Sequence, residues 1–489
     1  MAKGSTDSNR TAKNAAFAMI NQIFVTFAPL LTTPYVSRVL GSANLGIFTF
    51  TLSVVNYFVL FAMLGITTYG TRTIAEDCGD KNKISKHFWE IYSIQLMSAG
   101  ACTVLYILYL LVLRPDNLVI AAVQILWLFS AWTDLWWFYY GVEEVRFPAI
   151  LGTVIKIMSV IGIFVFVRRN DSALLMYTLI MGGSNYIGML MMLIPLKEYV
   201  IWQKPNWQDI KTHIRPVLVL FVPLLAMSVF HNMDKTMIGL LSSYPELGFY
   251  RNAELIINVP LSIVNTLTAV FLTRSTILMQ EEDKSEYVAF LSHSYEAIIC
   301  IAALLSFGIA GCVRIAVPLF FGSEFMPCID LTYLFVPVLI IKSVSGFYRM
   351  QYLIPSKKEK IYIIATFAGA AVNLIVNMIL IPLFGAKGAV VGTISAECAL
   401  MIIQFYPLDE RLPYGSWLKE TFAYCLIGLL MTGFMMLIDH QNLSVLVKLA
   451  AEIIGGAAVY GIMCLFYWKY ISKDETLMNM VGSKLKRND

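Results

Sequence analysis

Charged side chains interrupt several of the long apolar runs in this chain of 489 residues. Asp234 and Lys235 stand side by side within one such run, which begins near Val217. A charged group near the centre of a bilayer costs about 2.5–3.5 kcal/mol on insertion scales, so it persists where it faces a cavity or an opposite charge. We therefore predict that the helix carrying this pair turns one edge toward a wet cavity.

A set of basic residues indicates what such a cavity would bind. Lysine and arginine pair with phosphate oxygens, so a cationic cavity suits an anionic substrate such as a pyrophosphate headgroup. The predicted substrate-binding residues are Lys156, Lys235, Lys342, Arg349, Arg38 and Arg251. In the alternative interpretation, Asp234 or Glu254 neutralises the lysines, while the three arginines extend to the lipid headgroups.

A second set of residues predicts a site for a monovalent cation or for proton relay. It consists of Asp234, Asn373, Asn377 and Thr393, which offer one carboxylate and several neutral oxygens. The alternative is that the asparagines form hydrogen bonds between helices. The aromatic residues around Asp134 leave a similar choice, between contact with sugar rings and a belt at the membrane interface. They are Trp132, Trp136, Trp137, Tyr139 and Tyr140.

The elements that position these residues are predicted to be membrane-spanning α-helices. The chain is 58% hydrophobic and 14% charged, whereas soluble proteins are about 45–50% apolar and about 25% charged. Many of its apolar runs approach or exceed the ~20 residues that cross a bilayer as a helix, and alternating segments of strand length are absent. The fold class is therefore an all-α integral membrane protein with about 14 transmembrane helices. The predicted spans are 14–37, 44–70, 88–113, 118–140, 147–168, 172–196, 216–241, 248–273, 287–313, 327–353, 361–384, 387–407, 416–438 and 445–470.

Other features of the sequence argue against an enzyme. Every loop is shorter than about 20 residues, which leaves no room for a catalytic domain. There is no GxxxxGK[ST] motif for a nucleotide, and no acid–base pair can be placed beside His231. The five histidines and eight cysteines are dispersed, without a CxxC pair. We therefore predict no metal site and no cofactor, apart from coupling to Na+ or H+.

The distribution of basic residues predicts the orientation in the membrane. With the N-terminus inside, the inner segments hold 25 of the 36 lysines and arginines, and the outer segments hold 8. Cytoplasmic loops of multi-pass proteins carry such an excess of Lys and Arg. Both termini are therefore predicted to be cytoplasmic.

An internal repeat predicts how the helices are grouped. Residues 43–56 read ANLGIFTFTLSVVN and residues 245–258 read PELGFYRNAELIIN, with Gly46 and Gly248 separated by 202 residues. Unless the similarity arises by chance, two six-helix lobes surround a central cavity and are related by an axis along the membrane normal. The predicted parts are a cytoplasmic N-terminal tail at 1–13, an N-lobe at 14–196, a cytoplasmic linker at 197–215, a C-lobe at 216–407, two further helices at 408–470 and a cytoplasmic C-terminal tail at 471–489.

Four stretches carry a family resemblance: TPYVSRVLGSANLGIFTFT, NMDKTMIGLLSSYPELGFYRNAELI, FGSEF and NLIVNMILIPLFGAKGAVVGTISAE. Together they resemble the bacterial polysaccharide-transport proteins of the multidrug/oligosaccharidyl-lipid/polysaccharide exporter superfamily. The likeness is greatest to the Wzx-type flippases of O-antigen and capsular repeat units.

The resemblance implies a V of two lobes that alternates between inward-open and outward-open states in the bacterial cytoplasmic membrane. It implies transport of an undecaprenyl-pyrophosphate-linked oligosaccharide from the inner to the outer leaflet, for biosynthesis of O-antigen, capsule or exopolysaccharide. The implied partners are this glycan, membrane lipids, a polysaccharide polymerase and other assembly proteins, with no nucleic acid. Relatives that flip a peptidoglycan precursor have a sodium site on helices seven, eleven and twelve, on which Asp234, Asn373, Asn377 and Thr393 fall here. The chain departs from these relatives at Asn377, where they have a second acid, and in its first span, where Arg38 stands only at the outer end.

Two rival functions remain open at this point. A cation- or proton-coupled drug or metabolite antiporter of the same superfamily would favour cationic substrates, which the lysines of the cavity would repel. A membrane-embedded polysaccharide polymerase would carry a long external loop, and this chain has none.

Overall fold

The computed structural model describes residues 2–77, 79–282, 284–406, 408–441 and 443–472, with side chains described from residue 27 to residue 471 of these ranges. Every regular element in them is helical, which confirms the predicted all-α fold class. The helices are α1 (Ala2–Met63), α2 (Ile66–Glu76), α3 (Lys81–Leu113), α4 (Leu118–Val123), α5 (Ile125–Thr133), α6 (Trp136–Gly141), α7 (Arg146–Phe166), α8 (Ala173–Met191), α9 (Leu196–Tyr199), α10 (Trp207–Leu241), α11 (Tyr244–Leu278), α12 (Lys284–Phe321), α13 (Pro327–Tyr348), α14 (Glu359–Phe384), α15 (Ala386–Phe405), α16 (Tyr414–Asp439) and α17 (Val445–Tyr467). A 3₁₀ turn at Ser323–Phe325 and π-helical turns at Arg349–Leu353 and Trp468–Ser472 complete them.

Thirteen stretches of the described residues are long and apolar enough to cross a membrane. The first of them, Phe27–Glu76, includes all of the second predicted span, 44–70, and the part of the first span, 14–37, from residue 27 onward, which accounts for the difference from fourteen. Gly41 interrupts the helical backbone inside it, with φ 76° and ψ 175°. Glycine adopts such a positive φ at little cost, so it can kink α1 at this point. The other twelve predicted spans each coincide with one of the remaining stretches.

Side-chain caps and breaks define where some of these helices begin. The carboxylate of Asp80 accepts hydrogen bonds from the backbone N–H groups of Asn82 and Lys83 at the start of α3. Asn206 caps α10 in the same way through the N–H of Gln208. These caps satisfy N–H groups that have no partner inside the helix. The fourth predicted span is divided into α4, α5 and α6, and Asp134 accepts from the N–H of Trp136 at the second break.

The described chain divides into two compact units. Unit 1 consists of the described residues up to Arg251 together with Asn377–Ala389, and unit 2 consists of Asn252–Val376 and the described residues from Val390 onward. Helices α11, α14 and α15 therefore each contribute residues to both units. The lobes predicted at 14–196 and 216–407 divide the chain at other positions and stay a prediction.

An aromatic core positions α2, α3 and α6 within unit 1. The ring of Phe88 stacks on Trp137 with 5.7 Å between centroids, and the indole N–H of Trp137 donates to Oε1 of Gln95 at 3.0 Å. Gly70 allows the close approach of α2, because a Cβ added there would lie 2.4 Å from the Trp137 ring. Buried aromatic rings with a satisfied N–H are strong packing anchors.

The sequence offset of 202 residues recurs in unit 1 as a reciprocal contact. A Cβ added to Gly46 would lie 1.8 Å from the carbonyl oxygen of Tyr244, and one added to Gly248 would lie 2.2 Å from that of Ser42. Gly46 and Gly248 are 202 residues apart, and so are Ser42 and Tyr244. The glycine of each repeat therefore approaches the same position of the other repeat.

Unit 2 has its own core between α12, α13, α16 and α17. Tyr295 stacks on Trp417 with ring centroids 5.0 Å apart. The hydroxyl of Ser306 donates to the backbone oxygen of Val336 at 2.7 Å, and Gly428 lies against the Phe307 ring. This core supports the helix α13, which carries Lys342.

Candidate functional site

A cavity of about 300 Å³ lies inside unit 1 between helices α5, α6, α7 and α8. Its wall is mostly apolar and includes a side chain from each of the four helices. The residues that line it are Trp127, Trp136, Leu151, Gly152, Ile155, Lys156, Ser159, Met181, Ser184, Asn185, Gly188, Met189 and Met192. An apolar wall with a few polar groups is typical of a ligand-binding site.

Lys156 brings a positive charge to this cavity. It lies in the middle of α7, which spans Arg146–Phe166, and its side chain is half-buried. Among the described residues it forms no ion pair and no hydrogen bond. A lysine at mid-span without a carboxylate is costly, so such a residue usually marks a substrate path.

A second hydrogen-bond donor lines the same cavity. The indole N–H of Trp127 is buried and has no acceptor within the described part of the chain. The amide of Asn185, in contrast, already donates to the hydroxyl of Ser130 at 2.9 Å. Lys156 and Trp127 therefore offer two donors to a ligand that carries negative charge or oxygen acceptors.

The aromatic residues around Asp134 divide into one cavity residue and several packing residues. Trp136 lines the cavity. The N–H of Trp132 donates to Thr103, that of Trp137 donates to Gln95, and the hydroxyl of Tyr139 donates to the backbone oxygen of Met192. These three side chains connect helices through hydrogen bonds, and both interpretations of the aromatic residues stay predictions.

The carboxylate of Asp234 is the centre of a buried polar cluster in unit 1. Asp234 is 6% exposed, Tyr250 is 1% exposed, and Asn377 is fully buried. The hydroxyl of Tyr250 donates to Oδ2 of Asp234 at 2.7 Å, and Nδ2 of Asn377 donates to Oδ1 at 2.6 Å. Hydrogen bonds to an ionised acceptor are stronger than neutral ones, so this pair of donors stabilises the carboxylate.

The structure thus brings together two of the four residues predicted for ion coupling. Asn373 and Thr393 are also buried, but they belong to unit 2. Tyr250 was missed by the sequence analysis; its only signal was its place in the repeated stretch, just before Arg251. Lys235 is half-buried next to Asp234 on α10.

Lys342 differs from Lys156 because it has a carboxylate partner. Its Nζ lies 3.4 Å from Oε1 of Glu397, and the two side chains are 21% and 5% exposed. Both residues lie in unit 2, on α13 and α15. The sequence analysis gave neutralisation of the lysines as its alternative interpretation, but with Asp234 or Glu254 as the acid in place of Glu397.

The three predicted arginines occupy two kinds of environment, since one is exposed and two lie beside aromatic rings. Arg38 is exposed on α1. Arg251 donates to the hydroxyl of Tyr177 at 3.3 Å, and its guanidinium lies 5.6 Å from the centroid of the Phe48 ring. Arg349 donates to the hydroxyl of Tyr362 at 3.0 Å, with 4.8 Å from its guanidinium to that ring.

These helices are those of a multi-pass membrane protein, and the comparison with solved structures shows which fold they form. The chain is similar to the lipid II flippase MurJ in an inward closed conformation, with a TM-score of 0.70 and 14% identity over 94% of this chain and 99% of that one. It is also similar to a multidrug resistance MATE family transporter of the MOP superfamily in an inward-facing conformation. That likeness has a TM-score of 0.56 and 13% identity, and covers 80% of this chain and 96% of the other.

The sequence comparison identifies the family. Residues 11–272 match the family described as polysaccharide biosynthesis protein, and the chain belongs to it. A relative from Escherichia coli (strain K12), named "Putative O-antigen transporter", is 22% identical over 405 residues, which are 81% of this chain and 95% of the relative. A relative of the same name from Shigella dysenteriae is 20% identical over 380 residues, which are 76% and 94% of the two chains. The resemblance to polysaccharide-transport proteins is confirmed.

Proposed function

We propose that the protein is a flippase for a lipid-linked oligosaccharide used in surface polysaccharide biosynthesis. Its substrate is an undecaprenyl-pyrophosphate-linked repeat unit, which it moves from the inner to the outer leaflet of the bacterial cytoplasmic membrane by alternating access. The observation that carries this proposal is Lys156, which lines a cavity inside the membrane-spanning part of unit 1 without a carboxylate partner in the described residues.

The free-energy cost of placing Lys156 within the membrane favours an anionic substrate. Insertion of Lys156 near the bilayer centre costs about 2.5–3.5 kcal/mol. A negative charge at 4 Å would return about 4 kcal/mol at an effective dielectric constant of 20. A phosphate or an acidic sugar in the cavity therefore offsets the cost, whereas a cationic drug would increase it.

The family and the names of the relatives support the same substrate class. Two relatives are named as O-antigen transporters, and the family is described by polysaccharide biosynthesis. The excess of basic residues in the predicted inner loops supports cytoplasmic termini. In this proposal the protein is a transporter and not an enzyme, and it works with a polysaccharide polymerase and other assembly proteins.

We also propose that Asp234 couples transport to Na+ or H+. Asp234 is a buried carboxylate held by Tyr250 and Asn377, all within unit 1. Buried acids in membrane proteins are rare and typical of ion or proton pathways. Asn373 and Thr393, which the sequence analysis predicted for the same role, belong to unit 2.

The test is the surface polysaccharide of a strain that lacks this gene, complemented at equal protein level. We expect the wild type and Lys156→Arg to restore polymer, and Lys156→Met to reduce it tenfold or more, since tenfold corresponds to about 1.4 kcal/mol. Trp127→Phe keeps the ring and removes the donor, so we expect an intermediate loss. The matched control is Lys204→Met, because Lys204 lies exposed between α9 and α10.

Full activity of Lys156→Met would contradict the role of the cavity charge. A deletion strain with normal surface polysaccharide would contradict the flippase itself. The second candidate, a cation- or proton-coupled antiporter, would then lead, because the buried carboxylate of Asp234 suits exchange against a cation.

A further inference from the structure

A second polar cluster of unit 1 plays no part in the proposed transport site. It lies near the N-terminal ends of α3 and α10, and ligand atoms of His87, Glu90 and His213 all lie within 4.8 Å of one another. His87 and Glu90 are three residues apart on α3, so they share one face of that helix. His213 reaches them from the second turn of α10.

Each imidazole of this cluster is oriented through its Nδ1. Nδ1 of His213 is 2.7 Å from the hydroxyl of Tyr69, and Nδ1 of His87 forms a hydrogen bond with the carboxylate of Asp77. Metal-binding histidines are almost always held in this way by one ring nitrogen, which leaves the other for the ion. Nε2 of His213 indeed faces Glu90, at 2.9 Å from Oε2.

The carboxylate of Glu90 supplies an independent observation. Its side chain is 2% exposed, and its Oε1 has no hydrogen-bond donor among the described residues. The nearest cation is Nζ of Lys86, at 3.8 Å, but Lys86 is closer to Asp209, at 3.0 Å. Buried carboxylates are normally paired or bound to a metal, so an oxygen without a donor points to a missing ligand.

We propose that His87, Glu90 and His213 bind one divalent transition-metal ion of the zinc type. Two imidazoles and one carboxylate are ligands that zinc accepts, with water in the fourth position. Zinc–ligand distances of about 2.0–2.2 Å place the ligand atoms of a tetrahedral site about 3.3 Å apart. The three ligand atoms here lie within 4.8 Å of one another, so the widest of their separations must shorten by up to about 1.5 Å. His87 can make this movement because its side chain is 30% exposed.

The proposed ion links α2, α3 and α10. His87 and Glu90 fix it to α3, His213 fixes it to α10, and Tyr69 connects α2 to His213. Lys86 remains bound to Asp209 and moves away from Glu90 when the ion is present. The site therefore joins three helices of unit 1 at the end that carries the predicted cytoplasmic loops.

Zinc binding by the full-length protein in detergent tests this proposal. The protein is purified through a tag without histidine, stripped with a chelator and titrated with ZnCl₂ against a chromophoric chelator. We expect one zinc ion per chain for the wild type, and at least a hundredfold weaker binding for His87→Ala, His213→Ala and Glu90→Gln. The matched control is His440→Ala, which removes an exposed histidine at the end of α16.

Two further measurements exclude a loss of binding through misfolding. His87→Ala changes a partly exposed side chain, so we expect this variant to remain monodisperse. We expect zinc to raise the melting temperature of the wild type and of His440→Ala, but not that of His87→Ala. Asp77→Asn alters only the orienting contact and should weaken zinc binding about 10- to 100-fold. A wild type without bound zinc at micromolar concentration, or a His87→Ala variant that binds as tightly, would overturn the proposal.

Discussion

The ion pair between Lys342 and Glu397 allows a quantitative test of how cations are kept in this membrane protein. Their charged atoms are 3.4 Å apart and their side chains are 21% and 5% exposed. Removal of one partner from a buried pair leaves an uncompensated charge and typically costs 3–5 kcal/mol. We therefore expect Glu397→Gln to lower the free energy of unfolding by about 3 kcal/mol, the low end of this range, because Lys342 retains some contact with solvent.

The reverse change, Lys342→Met, removes the other side of the same ion pair. The double variant leaves no isolated charge, so we expect a coupling energy of about 1–3 kcal/mol between the two sites.

The assay is a double-mutant cycle on protein unfolded by denaturing detergent. It compares the wild type, Glu397→Gln, Lys342→Met and the double variant. The matched control is Lys204→Met, an exposed lysine, which should shift the free energy of unfolding by less than about 0.5 kcal/mol. Strictly additive effects of the two single changes would refute the pairing and return Lys342 to the set of cations available to a substrate.

Two further predictions concern Tyr250 and Asp409. Tyr250→Phe removes a hydrogen-bond donor from the buried carboxylate of Asp234. The free energy of unfolding in the same detergent titration should therefore fall by about 1.5–3 kcal/mol. An equal fall for the control Tyr186→Phe would contradict this prediction. In the loop before α16, the Arg411 guanidinium holds the pKa of Asp409 well below its usual range. A lowered pKa in the folded state stabilises the fold above about pH 3.9, the value in the unfolded chain, and this stability is lost as the pH falls further. The melting temperature of Asp409→Asn should therefore be lower than that of the wild type between about pH 5 and pH 8. The difference between the two melting temperatures should narrow below about pH 3.9. A difference that does not change with pH would exclude the pairing with Arg411 as the cause.

The sequence was sufficient to predict where helices exist, because crossing a bilayer requires an apolar run of fixed minimum length. It was not sufficient to predict where they bend. Gly41 kinks α1 through its backbone angles, and α4, α5 and α6 are separated by breaks within one apolar run. Hydropathy does not distinguish a straight span from a kinked one, because both bury the same side chains in lipid.

The candidate sites were only partly predictable, for a related reason. Residue type alone selected Asp234 and Asn377, since a carboxylate and an amide inside spans require an explanation. Which residues meet depends on how the helices pack, and sequence separation gives no information about that. Lys342 and Glu397 are 55 residues apart, and His87 and His213 are 126 apart. The five histidines are dispersed in the sequence, but two of them, His87 and His213, lie in one cluster in the structure.

The repeated Leu-Gly sequence has a physical reason in the contacts that its two glycines make. In unit 1 the backbone of residue 244 approaches Gly46, and the backbone of residue 42 approaches Gly248. The two contacts are reciprocal, so both glycine positions are under the same requirement to lack a Cβ. Any larger residue at either glycine would meet a carbonyl oxygen within about 2 Å, far inside the 3.5–4.0 Å of an ordinary non-bonded contact. The two Leu-Gly sequences are therefore constrained by one shared contact between α1 and α11, which gives a physical reason for the likeness of the two stretches.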